Sequence, residues 1–503
     1  MKSYRAYSPE QPYLLPPSPR EWLPSGHLAP FVLDLVHDLD LSAIEATLQA
    51  KDPRGERPYS PIMMTALLIY AYATGVYSSR RIERATVEDV ACRFLAAGEH
   101  PHFTTINQFR AIHRQALADL FVQVLRACQS AGLVKLEHVA IDGTKMKANA
   151  SKHKAMSYDR MQKDAVRLRE EVETWLARAE AADAEEDERY GKTDPAEEIR
   201  RREERLAKMN AAREALRRET AAARAAQLRE QAEVLRQKAS EPTRSPQKHA
   251  EFTTLAAKRD QQADQLDPKR DQQADSHDDD QGQPTLGPDD DLPMNTPPTT
   301  PSGEPKPTAQ RNFTDPQSRI MVRDGAFLQA YNAQIAVDEG HQIIVAAAVS
   351  NQAPDSEYFQ PMLQRVVHNC DAVPERVTGD SGYFSADNVR FAEHMGTVPF
   401  ISVGKHRNDG ALSAEVARPQ HQTVARLEMR ARLETPEGRA AYARRKATVE
   451  PVFGQARACR GFRQFSFRGL FKNRCEWLFV CLTHNLLKLF RAQPTVRVAP
   501  AAS

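Results

Sequence analysis

Apolar positions recur at helical spacing through the first quarter of the chain. Phe31, Leu35, Val36, Leu39 and Ile44 form one stripe, and Met63, Leu67, Leu68, Ala71 and Tyr72 a second. Ile82, Ala85, Val90, Phe94 and Leu95 suggest a third helix. Ile106, Phe109, Ile112, Leu117, Leu120, Phe121, Val124 and Leu125 suggest a fourth, with Thr104-Thr105 as its N-cap. The polar side of that last helix carries Asn107, Gln108, Arg110, His113 and Arg114, residue types that contact phosphates and base edges. Residues 30–132 therefore fit a helix-turn-helix-like DNA-binding domain, or equally a helical bundle whose polar face meets only water. The Pro-rich residues 1–29 before it read as irregular.

The period changes at Leu136. Val139 and Ile141 alternate with His138, Ala140 and Asp142, which predicts a strand in the segment 133–155. Asp142-Gly143 is a hairpin-turn dipeptide, yet Lys145 and Lys147 follow, so the strand either turns there or continues. An acid flanked by apolar strand residues is costly to bury without a partner or a metal.

Residues 156–239 are rich in Ala, Glu, Arg and Lys. Leu168, Val172, Trp175, Leu176 and Ala179, then Leu206, Met209, Ala212 and Leu216, predict a helical hairpin broken at Gly191-Lys192-Thr193-Asp194-Pro195. Residues 240–310 are dominated by Pro, Asp, Gln, Ser and Thr and read as a disordered linker. Order returns in 311–490. Phe327 to Val337 and Gln342 to Val349 predict two strands around Asp338-Glu339-Gly340-His341. A helix from Asp355 follows, then a short strand ending at Asp380, a helix from Ser385 and a strand from Val398 to Val403. Residues 404–437 read as irregular or loosely helical; helices resume before Glu450 and close with Trp477 to Phe490, leaving 491–503 as a tail.

Composition adds compartment and partner. The 503 residues carry a net charge of only +2, but acids gather in the middle and bases near the end. Six scattered cysteines without a CxxC fit a reducing cytosol rather than a zinc site or disulfide framework. The N-terminus lacks the apolar run of a signal peptide, and the apolar stretch Pro61–Tyr77 is too short for a membrane span. A cytoplasmic, nucleoid-associated protein is expected.

From Arg439 to Arg474 there are ten Lys/Arg, and Glu450 is the only acid among them. Such a strip is built to meet an anion, most often a phosphate backbone. Arg445, Lys446, Arg457, Arg460, Arg463, Arg468, Lys472 and Arg474 are its candidate DNA contacts, joined by Gln108, Arg110 and Arg114 from the helical block. Without residues 156–310, the order is strand with Asp142, strand, strand, helix, strand with Asp380, helix, strand, helix with Glu450. That is the element order of a ribonuclease H-like fold, in which the first and fourth strands are neighbours. The predicted class is therefore α/β: a ribonuclease H-like mixed sheet flanked by helices, with an N-terminal all-helical domain and a large helical and disordered insertion after the first strand. Crowded carboxylates without His or Cys call for a hard divalent cation, Mg²⁺ with Mn²⁺ as substitute.

In the segments VAIDGTKMKANAS, NFTDPQSRIM, AYNAQIAVD, TGDSGYFSADN and VEPVFGQARACRGFRQFSFRGL the chain resembles the DDE transposases of bacterial insertion sequences. The likeness is to the group with a Tyr-Arg-Glu-Lys-type signature around the final Glu, and YSSRRIE and FTTINQFR resemble that group's N-terminal domain. The resemblance implies that Asp142, Asp380 and Glu450 form the catalytic and metal-binding triad. Tyr442 and Arg445 lie near Glu450, with Arg445 one residue off the signature spacing and Lys446 in its place. Arg457 stands where the signature carries Lys. The resemblance implies binding of terminal inverted repeats in double-stranded DNA, cleavage at the ends and joining to target DNA by two-metal phosphoryl transfer, by at least a homodimer. The alternatives are a nuclease of the same fold that does not join strands and an inactive DNA-binding repressor derivative.

Overall fold

The computed structural model describes residues 18–50, 57–182, 195–240, 245–266, 292–404 and 423–492. Most of the irregular N-terminal segment, the break at 191–194 and the C-terminal tail beyond 492 lie outside the described residues, as does the stretch 405–422. Among the described residues seven helices come first: α1 (Leu28–Asp38), α2 (Ser42–Gln49), α3 (Pro61–Ala73), α4 (Ser79–Glu88), α5 (Val90–Leu95), α6 (Phe103–Ile112) and α7 (Arg114–Ser130). The third expected stripe is two helices, because Asp89 ends α4 in an extended conformation and its side chain caps α5 at Cys92 N–H. The fourth is also two, broken at His113. The N-cap of α6 is His102, whose Nδ1 accepts from Thr104 N–H, rather than Thr104-Thr105.

The strand after α7 does not turn at Asp142-Gly143. β1 runs unbroken over His138–Lys147. A small antiparallel pair, β2 (Ala155–Ser157) with β3 (Gln310–Asn312), closes the base of the insertion, which holds α8 (Tyr158–Ala182), α9 (Pro195–Ala239) and α10 (Pro246–Leu266). β4 (Arg319–Arg323), β5 (Ala326–Asp338), β6 (Ile343–Ser350), α11 (Phe359–Cys370), β7 (Arg376–Gly379), α12 (Ala386–His394), β8 (Val398–Ile401), α13 (Val424–Glu434), α14 (Pro436–Gly454) and α15 (Leu470–Ala492) complete the order.

The main sheet is mixed, in the order β4-β5-β1-β7-β8, with β6 also on β5. β1 pairs antiparallel with β5 and parallel with β7, and β7 pairs parallel with β8. β5 is long enough to bond β4 along its first residues and β6 along its last ones. β6 is buried at every position, which fits its continuous apolar sequence, because helices cover it. Side chains alternate faces along a strand. Asp142 meets α14 while Lys145, three residues on, meets Asp355 just before α11, so these helices cover opposite faces. The arrangement is consistent with the expected ribonuclease H-like domain.

The helical block does not have a core of its own. Val32, Leu67, Ile82, Ile106 and Leu125 share one buried cluster with Ile141, Ile335, Val345 and Leu482 of the sheet and α15. Of the linker expected over 240–310, residues 241–244 and 267–291 lie outside the described residues, and the described remainder needs correction. Within it, α10 packs along α9 through Ala225, Leu228 and Ala263, with Arg229–Asp264 and Arg236–Asp260 ion pairs. Leu292 is buried and Asn295 N–H donates to Asn351 Oδ1 at 2.8 Å. The polar composition hid these elements because they need few apolar contacts, borrowing a helix surface and a sheet edge instead. No helix among the described residues is long and apolar enough to cross a membrane.

Candidate active site

β1 and β7 pair in register from His138↔Arg376 to Ala140↔Thr378. Continued by two residues, that register sets Asp142 level with Asp380, just beyond the end of β7. Asp380 begins a tight turn, and its Oδ1 accepts Gly382 N–H at 2.8 Å. Asp142 Oδ1 accepts Gly143 N–H at 2.8 Å, and Oδ2 accepts Arg445 Nη1–H at 2.9 Å. Burial, reinforced by the charge of Asp380, pushes the Asp142 carboxyl up to about 6 despite the guanidinium beside it. Burial disfavours the Arg445 charge too, but Asp142, Tyr442 and Asp380 outweigh it and hold Arg445 above its ordinary value. Arg445 also lies over the Tyr442 ring, 5.7 Å from its centroid.

Gly143 is required by close approach. A Cβ there would fall 2.1 Å from Gln334 Nε2 on the paired strand. Gln334 Nε2 donates to Asn332 Oδ1 at 3.0 Å and Asp355 Oδ1 at 2.9 Å, and its Oε1 accepts from the Tyr383 hydroxyl. Lys145 Nζ bonds Asp355 at 2.9 Å. Tyr383 is fully buried, and burial followed by the charges of Asp355, Asp142 and Asp380 keeps its hydroxyl protonated well above its ordinary range. This network props the floor under the two aspartates. In the sequence Gly143 was readable as a turn, Lys145 as a strand continuation and Asp355 as a helix start, while Asn332, Gln334 and Tyr383 carried no signal of this network.

Glu450 is exposed on α14, which runs on through Pro451 to Gly454 and into a wider turn at Gln455–Cys459. It lines an open groove with Gly143, Thr144, Arg323, Phe453, Gly454, Arg457 and Arg463. Arg457 Nη1 reaches Thr144 Oγ1 at 3.4 Å. The groove thus begins at the residues that follow Asp142. Glu450 does not join the aspartates in one cluster: among the described residues no three acidic, His or Cys side chains are grouped to hold an ion. The donor chemistry at Asp142 and Asp380, two neighbouring carboxylates that are both part-buried, fits a hard divalent cation.

The other candidate DNA contacts divide by exposure. Gln108, Lys446, Arg463 and Arg468 are exposed, and Lys472 and Arg457 half-buried. Arg474 donates to Val349 O at 2.9 Å, and Arg114 lies over the Phe471 ring, bonded to Ala111 O. Three are turned inward, which corrects their reading as surface contacts. Arg445 holds Asp142. Arg460 bonds Thr483 Oγ1 at 2.6 Å in a site whose burial lowers its proton affinity. Arg110 donates to Tyr72 Oη at 2.8 Å and Tyr77 O at 2.9 Å. Tyr72 in turn donates to the buried Glu476, so this arginine ties α6 to α15.

A family model described as a transposase DDE domain matches residues 299–486, and one described as a transposase domain (DUF772) matches residues 17–111. The chain belongs to the DDE transposases of insertion sequences. No curated protein and no solved structure matches it. The two matches contain Asp380 and Glu450 but not Asp142, which lies between them. It is the strand pairing of β1 with β5 and β7 that brings this aspartate into the DDE domain. Transposases of this family act on DNA and normally use divalent metal.

Proposed function

We propose that this transposase binds the terminal inverted repeats of its own element, cleaves at the ends and joins the 3′-hydroxyls to target DNA on a ribonuclease H-like domain. Asp142, Asp380 and Glu450 are its catalytic carboxylates. The observation that carries the reading is the level placement of Asp142 beside Asp380, at the head of the groove lined by Glu450, Arg457 and Arg463. Asp142 and Asp380 would hold Mg²⁺, or Mn²⁺ in its place, with Glu450 completing the set from α14. Bound metal supplies charge stabilisation at the attacked phosphate and an activated water or 3′-hydroxyl. Arg457 and Arg463 neutralise the phosphate backbone in the groove, and Lys446 extends the positive field along α14. Arg445 keeps the Asp142 carboxylate oriented. Pairing two ends requires at least a homodimer in the DNA complex.

The test is incubation of the purified protein with labelled duplexes carrying the element ends and Mg²⁺, scoring cut and joined products separately. Both products are expected. Cutting without joining would favour a nuclease, and binding without cutting a repressor derivative.

A further inference from the structure

Beyond Arg463, where the lining of the groove at the candidate active site ends, the chain runs on beside the end of β1. Phe465 N–H donates to Lys147 O at 2.9 Å and Lys147 bridges Gln464, so the end of β1 is fastened beside the segment that follows Arg463. Here a second depression opens, lined by Lys147, Asn149, Lys152, His153, Lys154, Gln464 and Arg468 among others. A third shares His153 and Lys154 with it and reaches Arg201, Arg205 and Lys208 of α9. The first and second share no lining residue but meet at the consecutive residues Arg463 and Gln464, so the three lie in succession along a path from Glu450 to the insertion. The acidic side chains that line them are Glu450 in the first and Glu204 in the third.

The far wall is held in place. The β2–β3 pair fixes the insertion's base, Arg217 Nε donates to the Tyr158 hydroxyl at 2.7 Å, and Glu219 of α9 pairs with Arg311 and Arg319. Met209 and Leu216 pack on Tyr158, Met161 and Leu168. On α9, Arg201, Arg218 and Arg236 have carboxylate partners one turn away. Among the described residues Arg205 and Lys208, like Lys147, Lys152 and Lys154, have no carboxylate partner, and all five are exposed. Uncompensated cations at fixed positions along a groove match the regular negative charge of a nucleic-acid backbone.

We infer that the insertion is a DNA-binding element of the transposase: Lys147, Lys152 and Lys154, then Arg205 and Lys208 of α9, hold the duplex whose strand is cut. The occupant is the element end with its flank, because the second depression adjoins, at Arg463-Gln464, the groove that would present the scissile phosphate. The inference rests on the transposase reading above.

The test is a salt series of binding by full-length protein to an element-end duplex with long flanks. Arg205→Glu/Lys208→Glu is compared with Arg218→Glu/Lys238→Glu, an equal charge change away from the path. Arg205→Gln/Lys208→Gln preserves helix-forming residues should the reversal disturb folding. The groove pair is expected to weaken binding about tenfold or more near 0.1 M salt and to lower the salt slope by about two, one per lost phosphate contact. Equal losses in both reversal pairs would show bulk charge alone and overturn the inference, as would an unaltered slope in a groove pair while wild-type protein binds and cuts. Loss confined to joining with a separate target duplex would overturn the assignment to the cut DNA. Wild-type protein that neither binds nor cuts element ends would overturn the transposase reading, and this inference with it.

Discussion

Asp142 concentrates the conflict between stability and function in this fold. Its carboxyl titrates at about 6 in the folded chain and near 3.8 when unfolded. The folded state therefore binds more protons between those values, and this group's contribution to stability is lost as pH rises from about 4 to about 6. Asp142→Asn keeps an acceptor for Arg445 and removes the charge that burial disfavours. In chelator at pH 8, urea unfolding of Asp142→Asn should show stability equal to or above wild type, with a flatter profile between pH 4 and 6. A loss above about 2 kcal/mol would mean that the charge itself holds the fold, as in a tight buried pair. The neighbouring placement of Asp142 and Asp380 was legible in the order of the elements. The inward turn of Arg110, Arg445 and Arg460 was not. Sequence reports that a base is present, but not whether a tyrosine, carbonyl or carboxylate waits beneath it.

At the scale of elements, period revealed the longer apolar strands and helices but not β4 or the polar α10, and it misled at Gly143, where one residue serves two uses. Gly143 carries a turn signal, yet it allows Gln334 to lie across β1. Gly143→Ala should therefore displace Gln334, release Tyr383 and Asp355, and cost about 1–3 kcal/mol, with reduced cleavage at unchanged DNA affinity. Denaturant melts and cleavage rates on the same preparation check both parts; a neutral substitution would show that Gln334 has room to move. The helix carrying Glu450 has its own close contact. A Cβ on Gly438 would meet Arg432 O at 2.1 Å, so Gly438→Ala should push α14 from α13 and destabilise the fold by a similar amount, read as a lowered melting midpoint. An unchanged midpoint would mean that this junction gives freely.

Across the whole molecule, one core joins the N-terminal helices to the sheet, so no boundary near residue 132 separates independently packed bodies. The insertion is different. Ser157 pairs with Gln310, so its two ends are adjacent. Replacing 158–309 by a short Gly-containing turn should leave a folded protein. It would lose the buried Leu292 and the Glu219 ion pairs, along with the α9 wall of the groove. Circular dichroism and a cooperative melt check the fold; collapse to an aggregating chain would show that the insertion is integral to the sheet. A polar sequence could not reveal this docking, since it depends on ion pairs and a two-strand clasp distant in the chain.

The triad itself is tested by cleavage of labelled element ends in Mg²⁺ and, separately, Mn²⁺, by wild type, Asp142→Asn, Asp380→Asn and Glu450→Gln, with binding measured on the same duplexes. Each substitution should abolish cutting and joining while affinity for the ends stays near wild type, because metal ligation needs the anionic oxygens and phosphate binding rests on separate bases. Wild-type cleavage in any one of the three would remove that residue from the site and contradict the account.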